Sequence, residues 1–219
     1  MKAIAVNGSP RRNQNTATLL EKALDGAKST GAQTELIHLY DLQFSGCTSC
    51  FACKRKNAGL AVHCALKDDL SYCLEKILEC DVLLLGSPVY FDNLTGEMLC
   101  FLERLLFPNL SYNAGAPSLF RGKIASGFIY TMNLPEEAMI QRNYQAVFQH
   151  YQQLLHRLFG GVSEILIAND TYQFDDYSKY EASKFDEKHK AQVRAEQFPV
   201  TCQKAFAMGA RLSSGCADY

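Results

Sequence analysis

The spacing of apolar and polar positions switches along this chain between short continuous runs and helical periods. Ala3-Ile4-Ala5-Val6 is apolar at four successive positions, as in a strand covered on both faces inside a parallel sheet. Residues 17–28 then place Leu19, Leu20, Ala23, Leu24 and Ala27 at helical spacing, with Gly31 positioned for a C-terminal cap. TELIHL (34–39) reads as a second strand. A helix opening at Asp68-Asp69 carries the stripe Leu70, Leu74, Ile77 and Leu78, and DVLLLGS (81–87) is the third strand. Thr95 caps an apolar helix running to 107, and KIASGFIY (123–130) is the fourth strand. One long helix is expected over 136–159, ending at Gly160-Gly161 before VSEILIA (162–168), the fifth strand. A terminal helix over 184–212 follows, with a break expected at Pro199.

Five strands alternating with helices predict an α/β fold, a doubly wound five-stranded parallel sheet. Residues 1–168 form the main domain. Residues 169–219 form a C-terminal aromatic and charged extension and helix of that same domain; its stretch 172–185 is expected to cover the site or reach a partner. Twenty-two basic and 23 acidic residues leave a net charge of −1, which gives no general attraction for nucleic acid or a membrane surface. No apolar run has the length of a signal core or a membrane span, so the cytoplasm is the expected location. Nine cysteines there point to free, metal-bound or redox-active thiols rather than structural disulfides.

Candidate chemistry starts in the loop after the first strand. Ser9, Asn13, Asn15 and Thr16 offer side-chain donors beside a helix N-terminus, Arg11 and Arg12 add positive charge, and no acidic residue precedes Glu21. Gly8 stands alone, so neither the dinucleotide nor the triphosphate glycine pattern is present, and a terminal monophosphate such as that of FMN fits the loop. The alternative is that Ser9 or Asn15 merely caps the helix. Ligands of doubly wound sheets sit beyond the strand C-termini where the winding reverses, which adds the loops after the third and fourth strands. Pro88, Val89, Tyr90 and Phe91 suit a flat ring system, Asn93 its polar rim, and Thr131, Met132 and Asn133 its other edge. Alternatively, Tyr90 and Phe91 only plug the core.

Cys47, Cys50 and Cys53 follow the two-residue spacing of ferredoxin-type ligands, and Cys64, after ten intervening residues, would be a fourth. A [4Fe-4S] cluster, a zinc site and reduced cysteines without metal all remain open. Lys54, Arg55 and Lys56 could offset cluster charge or simply be solvated. Cys73, Cys80 and Cys100 read as core residues, and the five histidines show no ligand spacing.

GSPR with NT shortly after, GSPVYF followed by TGEM and FLERL, and the cysteine run followed by KDDL together resemble the flavodoxin-like NAD(P)H-dependent FMN reductases, in particular the branch with the iron–sulfur flavoproteins. The resemblance implies the strand order 2-1-3-4-5. It also implies phosphate contacts from Ser9, Arg11, Asn15 and Thr16, a ring lined by Pro88, Val89, Tyr90 and Phe91, and a homodimer or homotetramer. The activity implied is hydride transfer from NADH or NADPH to FMN and onward to a small-molecule acceptor such as a quinone, a nitro or azo compound or free flavin, or to a protein. The flavin does the chemistry, so no catalytic side chain is assigned. An electron carrier of flavodoxin or iron–sulfur flavoprotein type, without pyridine-nucleotide activity, is the competing class.

Overall fold

The structure, a computed structural model, describes residues 1–56 and 63–215. Part of the cysteine-bearing connection and Cys216 lie outside these residues. The elements are β1 (Lys2–Asn7), α1 (Asn15–Ser29), β2 (Gln33–His38), α2 (Asp69–Leu78), β3 (Val82–Pro88) and α3 (Gly96–Asn109), followed by β4 (Ile124–Thr131), α4 (Glu136–Gln141), α5 (Tyr144–Phe159), β5 (Gly160–Ala168) and α6 (Glu187–Ser213). All five strands are parallel, in the order β2-β1-β3-β4-β5. This is the flavodoxin-like arrangement expected from the sequence.

Strand side chains alternate between the two faces, and each face has its own core. Ile4, Val6, Leu83, Leu85, Phe128 and Tyr130 point toward α2, α3 and α5. Ala3, Ala5, Val82, Leu84 and Ile129 point toward α1 and α6. The second face is lined with smaller residues, and the helices over it lie correspondingly close. A Cβ on Gly26 of α1 would overlap the Phe206 carbonyl of α6, and one on Gly209 would overlap the Ala23 backbone.

Two helix expectations need correction. The single helix over 136–159 is two, because Asn143 takes a left-handed φ of 56° and restarts the chain as α5. Asn tolerates that conformation better than other non-glycine residues. The break at Pro199 does not occur, and α6 continues from Glu187 to Ser213. Burial of Phe198, Ala205, Met208 and Leu212 against α1 and the sheet outweighs the cost of about 3 kcal/mol for an interior proline. Cys80 is buried as expected, but Cys73 and Cys100 are only partly so. No helix among the described residues is long and apolar enough to cross a membrane.

Candidate functional site

The C-terminal ends of β1, β3 and β4 open into a cleft of about 530 Å³. Ser9, Arg11, Asn15 and Thr16 line one side, Pro88, Val89 and Tyr90 another, and Thr131, Met132 and Asn133 the third. Three loops distant in sequence meet here because parallel strands all end at the same edge of the sheet.

The phosphate-type wall is built from a turn and an uncapped helix. The Ser9 N–H donates to Asn7 Oδ1 at 3.0 Å, and Ser9 Oγ accepts from the Arg11 N–H at 3.2 Å. These bonds curl the loop ahead of α1. No side chain caps α1 at Gln14, and its first turn holds no acidic residue, so the capping role considered for Ser9 or Asn15 is absent. Its free N–H groups and dipole leave a positive end at the cleft. Thr16 Oγ1 and Thr131 Oγ1 are 2.8 Å apart and tie the first wall to the third.

Asn133 supplies an unmet acceptor, since its buried Oδ1 has no hydrogen-bond partner. Its backbone carbonyl takes the Lys190 ammonium at 2.7 Å. Lys190, 3% exposed, also pairs with Asp170, which His189 contacts as well. Burial alone would raise the Asp170 carboxyl, but the bonds from Lys190 and His189 hold it below the usual carboxylate range.

Phe91 and Asn93 lie elsewhere than expected. The Tyr90 N–H donates to the Asn93 carbonyl at 2.8 Å and the return bond is 3.1 Å, closing a two-residue turn with φ of 48° at Phe91 and 66° at Asp92. That reversal sends Phe91 wholly into solvent. Asn93 Oδ1 caps the Leu94 N–H instead of facing the cleft. The turn is held by Asp92, which accepts from Tyr144 Oη.

Thr171 and Gln173 also line the cleft, arriving from the C-terminal extension; the aromatic content of 172–185 marked that stretch for a covering role but singled out neither residue. Arg11 Nη1 donates to the Gln173 carbonyl at 2.6 Å, and Asn15 Nδ2 to the Tyr172 carbonyl at 2.9 Å. Arg194 reaches Asn15 Oδ1 at 2.9 Å. Arg12 is drawn away to Asp41.

The cysteines form a second cluster. Left-handed turns at Ser49 and Phe51 bring Cys47, Cys50 and Cys53 to one narrow pocket that Cys64 also lines. Their side chains do not converge as ligands do: among the described residues, no three His, Cys, Asp or Glu side chains share a point suited to a metal ion. Ligation needs the thiolate, and burial pushes the Cys53 thiol up. The Lys54 ammonium caps α3, donating to the carbonyls of Phe107, Pro108 and Leu110, and its charge also works against the burial that pushes the Cys53 thiol up. Arg104 and Glu103 bring charge of both signs to the pocket wall. Burial opposes the Arg104 charge, but Asp68 and the neighbouring Cys64 outweigh it and raise the guanidinium above its ordinary value.

The sequence model of the family described as NADPH-dependent FMN reductase matches residues 1–156. An iron-sulfur flavoprotein of Archaeoglobus fulgidus is 38% identical over 104 residues, 48% of each chain. The iron-sulfur flavoprotein MJ1083 of Methanocaldococcus jannaschii is 36% identical over 104 residues, 48% of this chain and 51% of its own. These matches span about half the length of either relative. In fold, the chain is similar to the NAD(P)H:quinone oxidoreductase from Methanothermobacter marburgensis, with a TM-score of 0.67 at 17% identity over 97% of this chain and 96% of that one.

Proposed function

The chain belongs to the NADPH-dependent FMN reductase family, and on that premise we propose that it is an FMN-containing oxidoreductase taking a hydride from NADH or NADPH and reducing a small-molecule acceptor. One observation carries the reading: the uncapped N-terminus of α1 and Asn133, whose buried Oδ1 has no hydrogen-bond partner, line the same cleft, one asking for an anion and the other for an N–H donor. A ring nucleotide with a terminal phosphate offers both. Bound FMN would supply the acceptance of a hydride and its release as one or two electrons, which no side chain supplies.

The protein's part is holding and orienting. Ser9, Thr16 and the first-turn N–H groups of α1 would bind the phosphate, with Arg11 and Asn15 at its rim. Pro88, Val89 and Tyr90 would form a stiff wall along the ring, and Thr131, Met132 and Asn133 the opposite edge. Tyr90 is 43% exposed, so the cleft keeps an open side where a nicotinamide and then an acceptor could stack. The described cysteines are all free, which suits the reducing cytoplasm.

A second reading, an iron–sulfur flavoprotein passing electrons onward, is favoured by the four cysteines on one pocket. Helix α3 spans both sites. Thr95 Oγ1, its cap, donates to the Gly8 carbonyl at 2.7 Å beside the cleft, and Glu103 Oε2, two turns on, accepts the Cys47 N–H at 2.9 Å.

Anaerobic stopped-flow with each nicotinamide, preceded by flavin, iron and zinc analysis, tests both. Bleaching of bound FMN by NADH or NADPH is the expected result. Bound FMN that neither nicotinamide bleaches would make the protein a carrier, and protein that binds no FMN would refute the proposal.

A further inference from the structure

Helix α3 is apolar on two sides. Met98, Phe101 and Leu105 pack into the core, while Leu99, Leu102 and Leu106 line a groove whose other wall is Tyr151, Leu154 and Leu158 of α5. A helix that is apolar nearly all round is ordinarily covered all round, yet Leu99, Tyr151 and Leu154 are only partly buried. Among the described residues the groove carries one charged side chain, Glu103, and its Oε2 already accepts the Cys47 N–H at 2.9 Å.

A projecting ring stands beside this groove. The turn from Tyr90 to Asn93 holds Phe91 wholly in solvent at a φ of 48°, a conformation that a bulky residue adopts only under constraint. The constraint comes from α5 and the residues just before it: Asp92 accepts from Tyr144 Oη and faces Arg142, and Tyr151 Oη lies 3.4 Å from Asn93 Oδ1. Tyr151 belongs to both features, so ring and groove adjoin on one face of the molecule. Strain that the surroundings maintain at an exposed aromatic points to a use for that ring.

A small apolar ligand or a peptide would fill the groove and leave Phe91 in water. A second copy of the chain serves both, because a knob and a hole lying side by side are self-complementary about a two-fold axis between them. Charge does not oppose that pairing. Asp92 is matched by Arg142, Glu103 by a backbone N–H, and the whole chain carries a net charge of only −1.

We propose that α3, α5 and the Phe91 turn form a two-fold interface with a second copy of this chain, each copy's Phe91 ring seated in the other's apolar groove. The same turn begins at Tyr90, which lines the cleft, so docking the ring also steadies that wall of the cleft. The inference rests on the turn and the groove and holds whether or not the cleft takes a flavin.

Sedimentation velocity on the full chain over a range of concentrations tests it, with Phe91→Asp and Leu154→Arg compared with the parent. Phe91→Asp leaves the fold intact, since the ring touches only solvent and Asp tolerates a left-handed φ better than Phe. A symmetric dimer loses two rings at once, so its dissociation constant is expected to rise about a hundredfold. Leu154→Arg should weaken association as well, by placing an unpaired charge in the groove. Mixing the two variants in equal amounts is expected to restore dimers, because one contact is then a ring in an unaltered groove and the other a carboxylate against a guanidinium. A substitution that merely damaged the fold would not be rescued by mixing.

A parent that stays monomeric overturns the proposal, and uptake of the apolar dye anilinonaphthalene sulfonate by that monomer would assign the groove to another ligand. An oligomeric parent whose assembly survives Phe91→Asp overturns it too, because the contact then lies elsewhere. Variants that both dissociate but fail to pair on mixing refute the seating of the ring in the groove. If Leu154→Arg does not fold, Phe91→Asp decides alone, dissociation supporting the interface and unchanged assembly refuting it.

Discussion

Lys190 links the C-terminal helix to the cleft through two bonds, one to the Asn133 carbonyl and one to Asp170. Asp170, 14% exposed at its side chain, has its folded pKa held below the unfolded value near 3.9. A depressed carboxyl contributes stability that is present above the unfolded pKa and lost as pH falls through the folded one. Lys190→Met should therefore cost about 3 kcal/mol at pH 7, because it removes the buried ammonium from a mostly buried carboxylate and leaves it only the exposed His189. The difference from the parent should narrow below about pH 4, as Asp170 protonates. Urea unfolding at pH 7 and pH 3 checks both the sign and the narrowing. Ser9, Thr16, Pro88 and Asn133 were visible in the sequence because each lies in a loop whose local composition marks it. Phe91 points away from the cleft because it takes a positive φ that a phenylalanine does not announce, although Asp92 after it is a residue that tolerates such a turn. Arg104 was legible only as part of FLERL, since an unmet Nε is a property of packing.

The strands were the clearest elements, because continuous apolar runs such as VLLL in β3 have few other ways to be buried; their order was implied by the resemblance to the FMN reductases and not by the apolar pattern. Helix limits were less clear. Asn143 interrupts an unbroken apolar period, and Pro199 fails to interrupt one, so in both cases tertiary packing overrode the local signal. The contact between α1 and α6 explains the second case. Gly26 and Gly209 let the two backbones approach closely enough that a side chain at either would strike main chain rather than a movable side chain. Gly209→Val should accordingly force the helices apart and destabilise the protein by about 2 kcal/mol, as overpacking does. For a chain of this size that corresponds to a melting point lower by about 4–8 °C, measured by circular dichroism. An equivalent change at Gly96, where nothing lies within 4 Å of an added Cβ, serves as the control through Gly96→Ala.

Over the whole molecule, the C-terminal extension returns across the sheet edge and closes one side of the cleft. Thr171 anchors it, its N–H donating to the Met132 carbonyl at 3.0 Å. Beyond that point, Arg11 and Asn15 hold the Gln173 and Tyr172 carbonyls. A knot of rings then stiffens the strap: Phe174 stacks on Tyr180 with centroids 4.2 Å apart and meets Tyr177 edge-on at 5.1 Å. Nothing local in the sequence tied this segment to the phosphate-type loop about 160 residues away, although its aromatic content marked it for a covering role.

If the strap governs departure of FMN, its stiffness should appear in the release rate more than in the association rate, because the closed strap must open before a held nucleotide can leave. Phe174→Ala removes two ring contacts worth about 0.5–1.5 kcal/mol each, while leaving Arg11, Asn15 and every cleft side chain in place. At about 1.4 kcal/mol per factor of ten, FMN release should accelerate about tenfold. Flavin fluorescence after dilution of the loaded protein into excess apo-flavodoxin as a trap gives that rate. An unchanged rate would assign the strap to packing alone. Acceleration with an unchanged oligomeric state would tie the extension to the cleft of its own chain rather than to a neighbour's.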